Sequence, residues 1–205
     1  MNEFERFAYD GICSALAAID AETASDIYVL SFHVFEFDDD PRCPILQIGY
    51  NTRSRWSACT PAAGQEISWP TASNPQEAKW NFAFWLQNEL IFIGEPESKG
   101  GRFLANVLQA NGLGFSDDDE EADFDRCSAI ADEISNFFAA MCVRLAQALH
   151  ASGAMADKFK HPIPIVIHGL DYDDQIAEQT TAANPPGTTE EFAEWISSLG
   201  EKIVR

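Results

Sequence analysis

Ile27-Tyr28-Val29-Leu30-Ser31-Phe32-His33-Val34-Phe35-Glu36-Phe37 is the stretch on which the fold turns. β-Branched and aromatic residues dominate it, and both alternating sets of side chains are largely apolar, so it reads as a strand buried on two faces. Asp38-Asp39-Asp40-Pro41 follows and makes a turn. Cys43 to Tyr50, with Ile45, Leu46 and Ile48, reads as a second strand. Two strands joined by a short acidic turn predict an antiparallel hairpin.

Helical patterns surround this hairpin. Phe4, Phe7, Ile12, Ala15, Leu16 and Ile19 recur at helical spacing and predict a helix over 2–21. Residues 51–73, with Arg53, Arg55, Trp56, Pro61, Gly64, Trp69 and Pro70, read as an irregular loop. Asn74-Pro75-Gln76-Glu77 has the form of a helix start, with Asn as cap, Pro first and Glu able to reach back. The alternation of Trp80, Phe82 and Phe84 behind it also suits a strand, and Leu90 to Ile93 prolongs the apolar stretch up to Gly94. Phe103, Leu104, Val107 and Leu108 predict a short helix closed by Gly112 or Gly114.

The run from Asp117 to Asp125 reads as a solvated acidic loop leading into a helix. Cys127, Ile130, Ile134, Phe137, Met141, Leu145 and Leu149 then step by three or four, with Asp125 as cap and Gly153 as stop. Ile163 to Ile167 is a third strand candidate, which Pro164 either places at a sheet edge or makes irregular at its start. Asp171 is read as the cap of a helix reaching about Ala183. Thr188 and Glu191 read as a capping box for a last helix bearing Phe192, Trp195, Ile196 and Leu199. The fold class is α+β: one domain over residues 1–205, with a small, mainly antiparallel sheet packed against several helices.

Length and composition agree with one core. A 205-residue chain with 46% hydrophobic residues, 15 Phe and five Trp has enough apolar mass to fold without metals or disulfides. Five cysteines, Cys13, Cys43, Cys59, Cys127 and Cys142, show no CxxC spacing, which argues against a disulfide framework or a zinc ribbon. Thirteen basic against 33 acidic residues give a formal charge of −20. Such a surface repels phosphate, so nucleic acid and anionic membranes are poor partners, while a basic protein is attracted. Solubility alone also explains acidity of this kind. Asn2, Glu3, Glu5 and Asp10 interrupt any leader-like apolar run, and no run approaches membrane-spanning length, so the expected location is cytoplasmic.

Catalytic motifs are sparse. The chain contains no GxxxxGK[ST], GxGxxG or GxSxG. Cys59 sits in a polar stretch as a candidate exposed thiol, but no local motif supplies a histidine to activate it. The best metal candidate is His168-Gly169-Leu170-Asp171-Tyr172-Asp173-Asp174, where His168, Asp171 and Asp173 offer an imidazole and carboxylates at a strand end. The competing reading makes these acids the cap and first turn of a helix. Arg42, Arg53 and Arg55 concentrate positive charge near the second strand of an acidic chain, with Trp56 directly after, which is hot-spot chemistry for binding; pairing with Asp38 to Asp40 across the hairpin explains the arginines as well. Of the adjacent pair Phe84 and Trp85, one is expected to be partly exposed, and Trp85 is a further interface candidate.

Three stretches carry a resemblance. They are Gln47-Ile48-Gly49-Tyr50-Asn51-Thr52, Lys79-Trp80-Asn81-Phe82-Ala83-Phe84-Trp85, and Pro164-Ile165-Val166-Ile167-His168-Gly169-Leu170-Asp171-Tyr172 followed by Asn184-Pro185. Their order and spacing resemble the bacterial family known as domain of unknown function 4303, over nearly the whole chain. The resemblance implies a bacterial cytosolic protein and brings no catalytic residues with it. By analogy with families found near toxin–immunity loci, it implies an immunity-like binding role. His168 stands where the family pattern has an acidic residue, which weakens a metal role there. The expectation is therefore a non-enzymatic protein that binds a basic partner and needs no cofactor. The alternatives are a small metal-dependent hydrolase built on His168 and Asp171, and a homo-oligomer held by exposed aromatics.

Overall fold

The computed structural model of the chain describes residues 1–62 and 69–203. Among these, β1 (Ile27–Glu36) and β2 (Pro44–Thr52) form the expected antiparallel hairpin, with Phe32 opposite Ile48. β3 (Ile91–Ile93) adds to β2 antiparallel, and β4 (Ile165–His168) adds to β1 in parallel. The order is β3-β2-β1-β4. β4 thus lies at an edge; Pro164, just ahead of it, accepts from the Leu30 amide at 3.0 Å through its carbonyl, and its missing N–H falls where the pairing with β1 begins. The α+β class and the mainly antiparallel sheet follow from this pairing.

Pleat alternation gives the sheet two distinct faces. Leu30, Phe32, Leu46, Ile48, Ile93, Ile165 and Ile167 join one core with α1 (Glu3–Ala18), α5 (Lys99–Ala110), α7 (Phe124–Ala151) and α8 (Ala154–Phe159). Phe4 of α1 and Phe138 of α7 meet at 5.9 Å between ring centroids. Asn2 and Glu5 form a capping box at the start of α1. The second carboxylate oxygen of Glu5 accepts from Arg144 Nε at 2.6 Å, so one nearly buried acid caps α1 and ties it to α7.

The opposite face is aromatic. Tyr28, Val29 and Val166 pack there against Trp80, Trp85, Phe192, Trp195 and Ile196. α4 (Pro75–Trp80) and the 3-10 turn Phe82–Phe84 lie over this face, together with α10 (Glu190–Ile203). The expected Asn74 cap is present and accepts from the amides of Gln76 and Glu77. Asn81 then caps the 3-10 turn through the Ala83 amide, which ends α4 after six residues. The alternating aromatics are therefore neither a long helix nor a strand. The side chain of Tyr172 accepts from the Phe82 amide at 2.7 Å, and Arg55 Nε donates to the Phe84 carbonyl at 3.0 Å. These bonds pin the turn from both sides.

Several local expectations are corrected. Arg53–Cys59 is a helix, α3, capped by Thr52, where an irregular loop was expected; residues 63–68 of that expected loop lie outside the described residues. Asp117–Ala122 is a helix, α6, with no buried residue. A capping box between Ser116 and Asp119, and carboxylates against the positive end of the helix, hold it in place of packing. The cap of α7 is Asp123, not Asp125, and the cap of α9 (Asp174–Ala183) is Asp173, not Asp171. The Thr188–Glu191 box does not form. Glu190 accepts from the amides of Gly187 and Thr189, while Glu191 pairs with Lys79.

Candidate functional site

The parallel pairing of β1 and β4 ends with His33 opposite His168. Past that pair β1 runs on through Val34, Phe35 and Glu36, still paired with β2, while β4 gives way to Gly169-Leu170-Asp171. A cleft of about 650 Å³ opens there, between the strand ends, α7 and the start of α9. Crevices outside the carboxyl ends of parallel strands are common ligand sites, because two connections diverge from one point. Glu36, Asp39, Asp171 and Asp173 line this cleft. None of the four is in a salt bridge among the described residues. Asp173 is committed to the Ile176 amide at 2.9 Å. Leu170 lies 78% exposed at the cleft, and Phe37, 40% exposed, follows Glu36. Asp38 and Asp39 turn the chain there with φ of 53° and 57°, a left-handed conformation that Asp tolerates better than most residues.

His168 closes the inner wall of the cleft and is fully buried. Its Nδ1 lies 2.7 Å from the Gly169 carbonyl, so Nδ1 carries the hydrogen; Nε2, 2.8 Å from Ser31 Oγ, accepts from that hydroxyl. Both nitrogens are thus used within the protein. Burial holds the imidazole neutral, with its pKa pushed down to about 3. His33 stacks on it at 5.2 Å and is also lowered by burial. The Ser31–His168 contact has the spacing of an activated nucleophile. Ser31 is only 2% exposed, however, and the Phe82 ring lies 4.6 Å from the His168 ring, so an incoming substrate has no approach to the hydroxyl. The contact joins β1 to β4.

The metal candidates accordingly do not converge. Among the described residues no group of three His, Cys, Asp or Glu side chains is placed to hold an ion. His168 faces Ser31, Asp173 caps α9, and Asp171 lines the cleft.

The binding candidates separate. Arg53 and Trp56 line a second cavity, between α3, α4 and α10. Arg55 serves the Phe84 carbonyl. Trp85 is 1% exposed and donates its indole N–H to the Lys79 carbonyl at 2.9 Å, which removes it from any interface; Phe84 is the partly exposed member of the pair. Neither Arg53 nor Arg55 pairs with Asp38 to Asp40; among the described residues Arg42 alone does so, through Asp40, and it also reaches Asp117 at 2.6 Å. Cys59 is fully buried, with its thiol on the Phe84 carbonyl at 3.5 Å, so it is no exposed nucleophile.

Sequence reasoning missed Glu36, Asp39 and Leu170 as neighbours, because only the non-local β1–β4 pairing unites them. It missed Ser31 for the same reason. No helix among the described residues is long and apolar enough to cross a membrane. The fold and cleft define an acidic α+β protein with an open groove at its sheet end. No family model matches the chain, and no curated protein or solved structure is significantly similar to it.

Proposed function

We propose that the protein is a binding module that captures a basic segment of another protein in the cleft at the carboxyl ends of β1 and β4. One observation carries the reading: the largest cleft described is lined by carboxylates without cationic partners and carries the most exposed large apolar side chain, Leu170. A partner with Lys or Arg beside an apolar residue satisfies both features at once. Its cations neutralise Glu36, Asp39 and Asp171, and its apolar side chain covers Leu170. The formal charge of −20 adds long-range attraction that speeds encounter and is screened by salt. The same field disfavours nucleic acid and anionic lipid.

The test is affinity capture from an extract of the source organism at low ionic strength. The wild-type chain is compared with a variant carrying Glu36→Gln, Asp39→Asn and Asp171→Asn. The expected result is a basic protein held by the wild type, released by a few hundred millimolar salt, and lost from the variant. Equal recovery by both chains, or capture without any basic protein, contradicts the proposal.

A further inference from the structure

The end of β1 is paired on one side only. With β2 it pairs along its whole length, to Glu36 opposite Pro44, but with β4 only as far as His33. Backbone groups along a strand point to its two sides in turn. Leu30 donates to the Pro164 carbonyl at 3.0 Å, so Leu30, Phe32, Val34 and Glu36 address the β4 side. Phe37 donates to the Cys43 carbonyl at 2.9 Å, on the β2 side, which fixes the same phase independently. The N–H and C=O of Glu36 therefore point past the place where β4 stops. Neither has a backbone partner among the described residues. Glu36 is exposed and lines the acidic cleft, so these groups stand at its wall. The outer edge of β4 is different: Asn184 bonds both the amide and the carbonyl of Ile165, and Thr180 takes the Ile167 amide.

The two faces of β1 also differ here. Val34 packs on the core that includes α7, and the pleat sets the Glu36 side chain on that same face. Phe35 lies on the other face, edge-on to Phe92 at 6.3 Å and 5.2 Å from the His33 ring.

We propose that the basic segment captured in the cleft is an extended strand that adds to β1 at Glu36. The inference rests on the cleft reading above and specifies the form of the partner. One N–H of the segment donates to the Glu36 carbonyl, and one of its carbonyls accepts from the Glu36 N–H. A Lys or Arg opposite Glu36 lies beside its carboxylate as a cross-strand pair of opposite charge. The residues on either side of that cation face the other way, over Phe35, and are apolar. The site thus selects a cation flanked by apolar residues in an extended chain. A helical segment has already paired its own backbone and offers Glu36 nothing.

The experiment uses the whole chain labelled with nitrogen-15, at low ionic strength, and two forms of a short peptide of alternating Leu and Lys. Both are closed by an acetyl group and a dimethylamide. One is the parent; the other is methylated at every backbone nitrogen, which keeps charge and side chains and removes every N–H donor of the backbone. The parent is expected to bind at the cleft, and the methylated form at least about tenfold more weakly. Hydrogen exchange at the Glu36 amide is expected to slow by at least about tenfold when the parent saturates the chain. Equal binding of the two peptides, or Glu36 exchange unchanged at saturation, overturns strand addition and leaves the cleft reading standing. A parent peptide that moves no cleft residue overturns both.

Discussion

Asn184→Ala is expected to lower the folding free energy by about 3 kcal/mol, read as a fall in the urea midpoint at unchanged slope. β4 has a strand neighbour on one side only, so its outer edge presents backbone groups that need partners. α9 supplies them from side chains rather than from a fifth strand. Asn184 Oδ1 accepts from the Ile165 amide at 2.8 Å, and its Nδ2 donates to the Ile165 carbonyl at 2.7 Å, the two bonds a neighbouring strand would make. One turn earlier, Thr180 accepts from the Ile167 amide at 3.1 Å, and Gln179 donates to the Ile167 carbonyl. Asn184 also reaches the Thr180 carbonyl and His150. Alanine leaves the amide and carbonyl of Ile165, a fully buried residue, without partners, and each such group costs about 1–3 kcal/mol. Asn184→Asp, which keeps the acceptor and sets a negative charge against two carbonyls, is expected to cost at least as much. A loss below about 1 kcal/mol for Asn184→Ala would mean that water substitutes for the side chain and that the edge is not closed as described.

Acid is the second large effect. His168 is buried and neutral, with a pKa of about 3 against an unfolded value near 6.5, and desolvation is the main cause. Above pH 6.5 both states carry a neutral imidazole and the group contributes no pH dependence. As the pH falls below 6.5 the unfolded chain takes up a proton that the folded chain refuses, so stability is lost until the folded value is reached. The slope is about 1.4 kcal/mol per pH unit for one histidine, so the total loss is on the order of several kcal/mol. His33 and His150 are lowered by burial as well and add to the slope. Asp40, whose carboxyl Arg42 holds below the usual range, contributes only at lower pH, where carboxylates protonate. His168→Gln, which can still accept from Ser31, is expected to be less stable than wild type at pH 7 and to close that gap as the pH falls to 4.5. Parallel curves for the two proteins would show that His168 is not held neutral.

What was legible in the sequence was local and periodic. The β1–β2 hairpin, α5 and α7 carry dense apolar patterns, and the Asn74 cap and Gly153 stop follow from backbone chemistry at single positions. Gly153 takes a φ of 85°, the left-handed end that glycine alone adopts without strain. Arg53–Cys59 was hidden because its residues have no apolar stripe; its N-terminal cap is Thr52, and its packing comes from Trp56 and Cys59. α6 was hidden because a helix of Asp and Glu buries nothing. Where several aspartates adjoin, the cap moved by two residues, from Asp125 to Asp123 and from Asp171 to Asp173, since any of them can accept from an N-terminal amide. The candidate site was the least legible part. Asp171 was identified, but its neighbours Glu36 and Asp39 stand more than a hundred residues away and meet it only through the parallel β1–β4 pair. Trp85 read as a surface residue because an adjacent aromatic pair on a helix exposes one member; the 3-10 turn instead sends it inward.

The central claim is that binding resides in one cleft and not in acidity spread over the whole surface. Backbone amide spectra of the nitrogen-15 chain, recorded while a short peptide of alternating Lys and Leu is added, test it most directly. The account predicts saturable shifts confined to Glu36–Asp39 and Gly169–Asp173, which disappear in the Glu36→Gln, Asp39→Asn, Asp171→Asn variant. Shifts of equal size along Asp117–Ala122, the acidic helix that lines no part of the cleft, would contradict it.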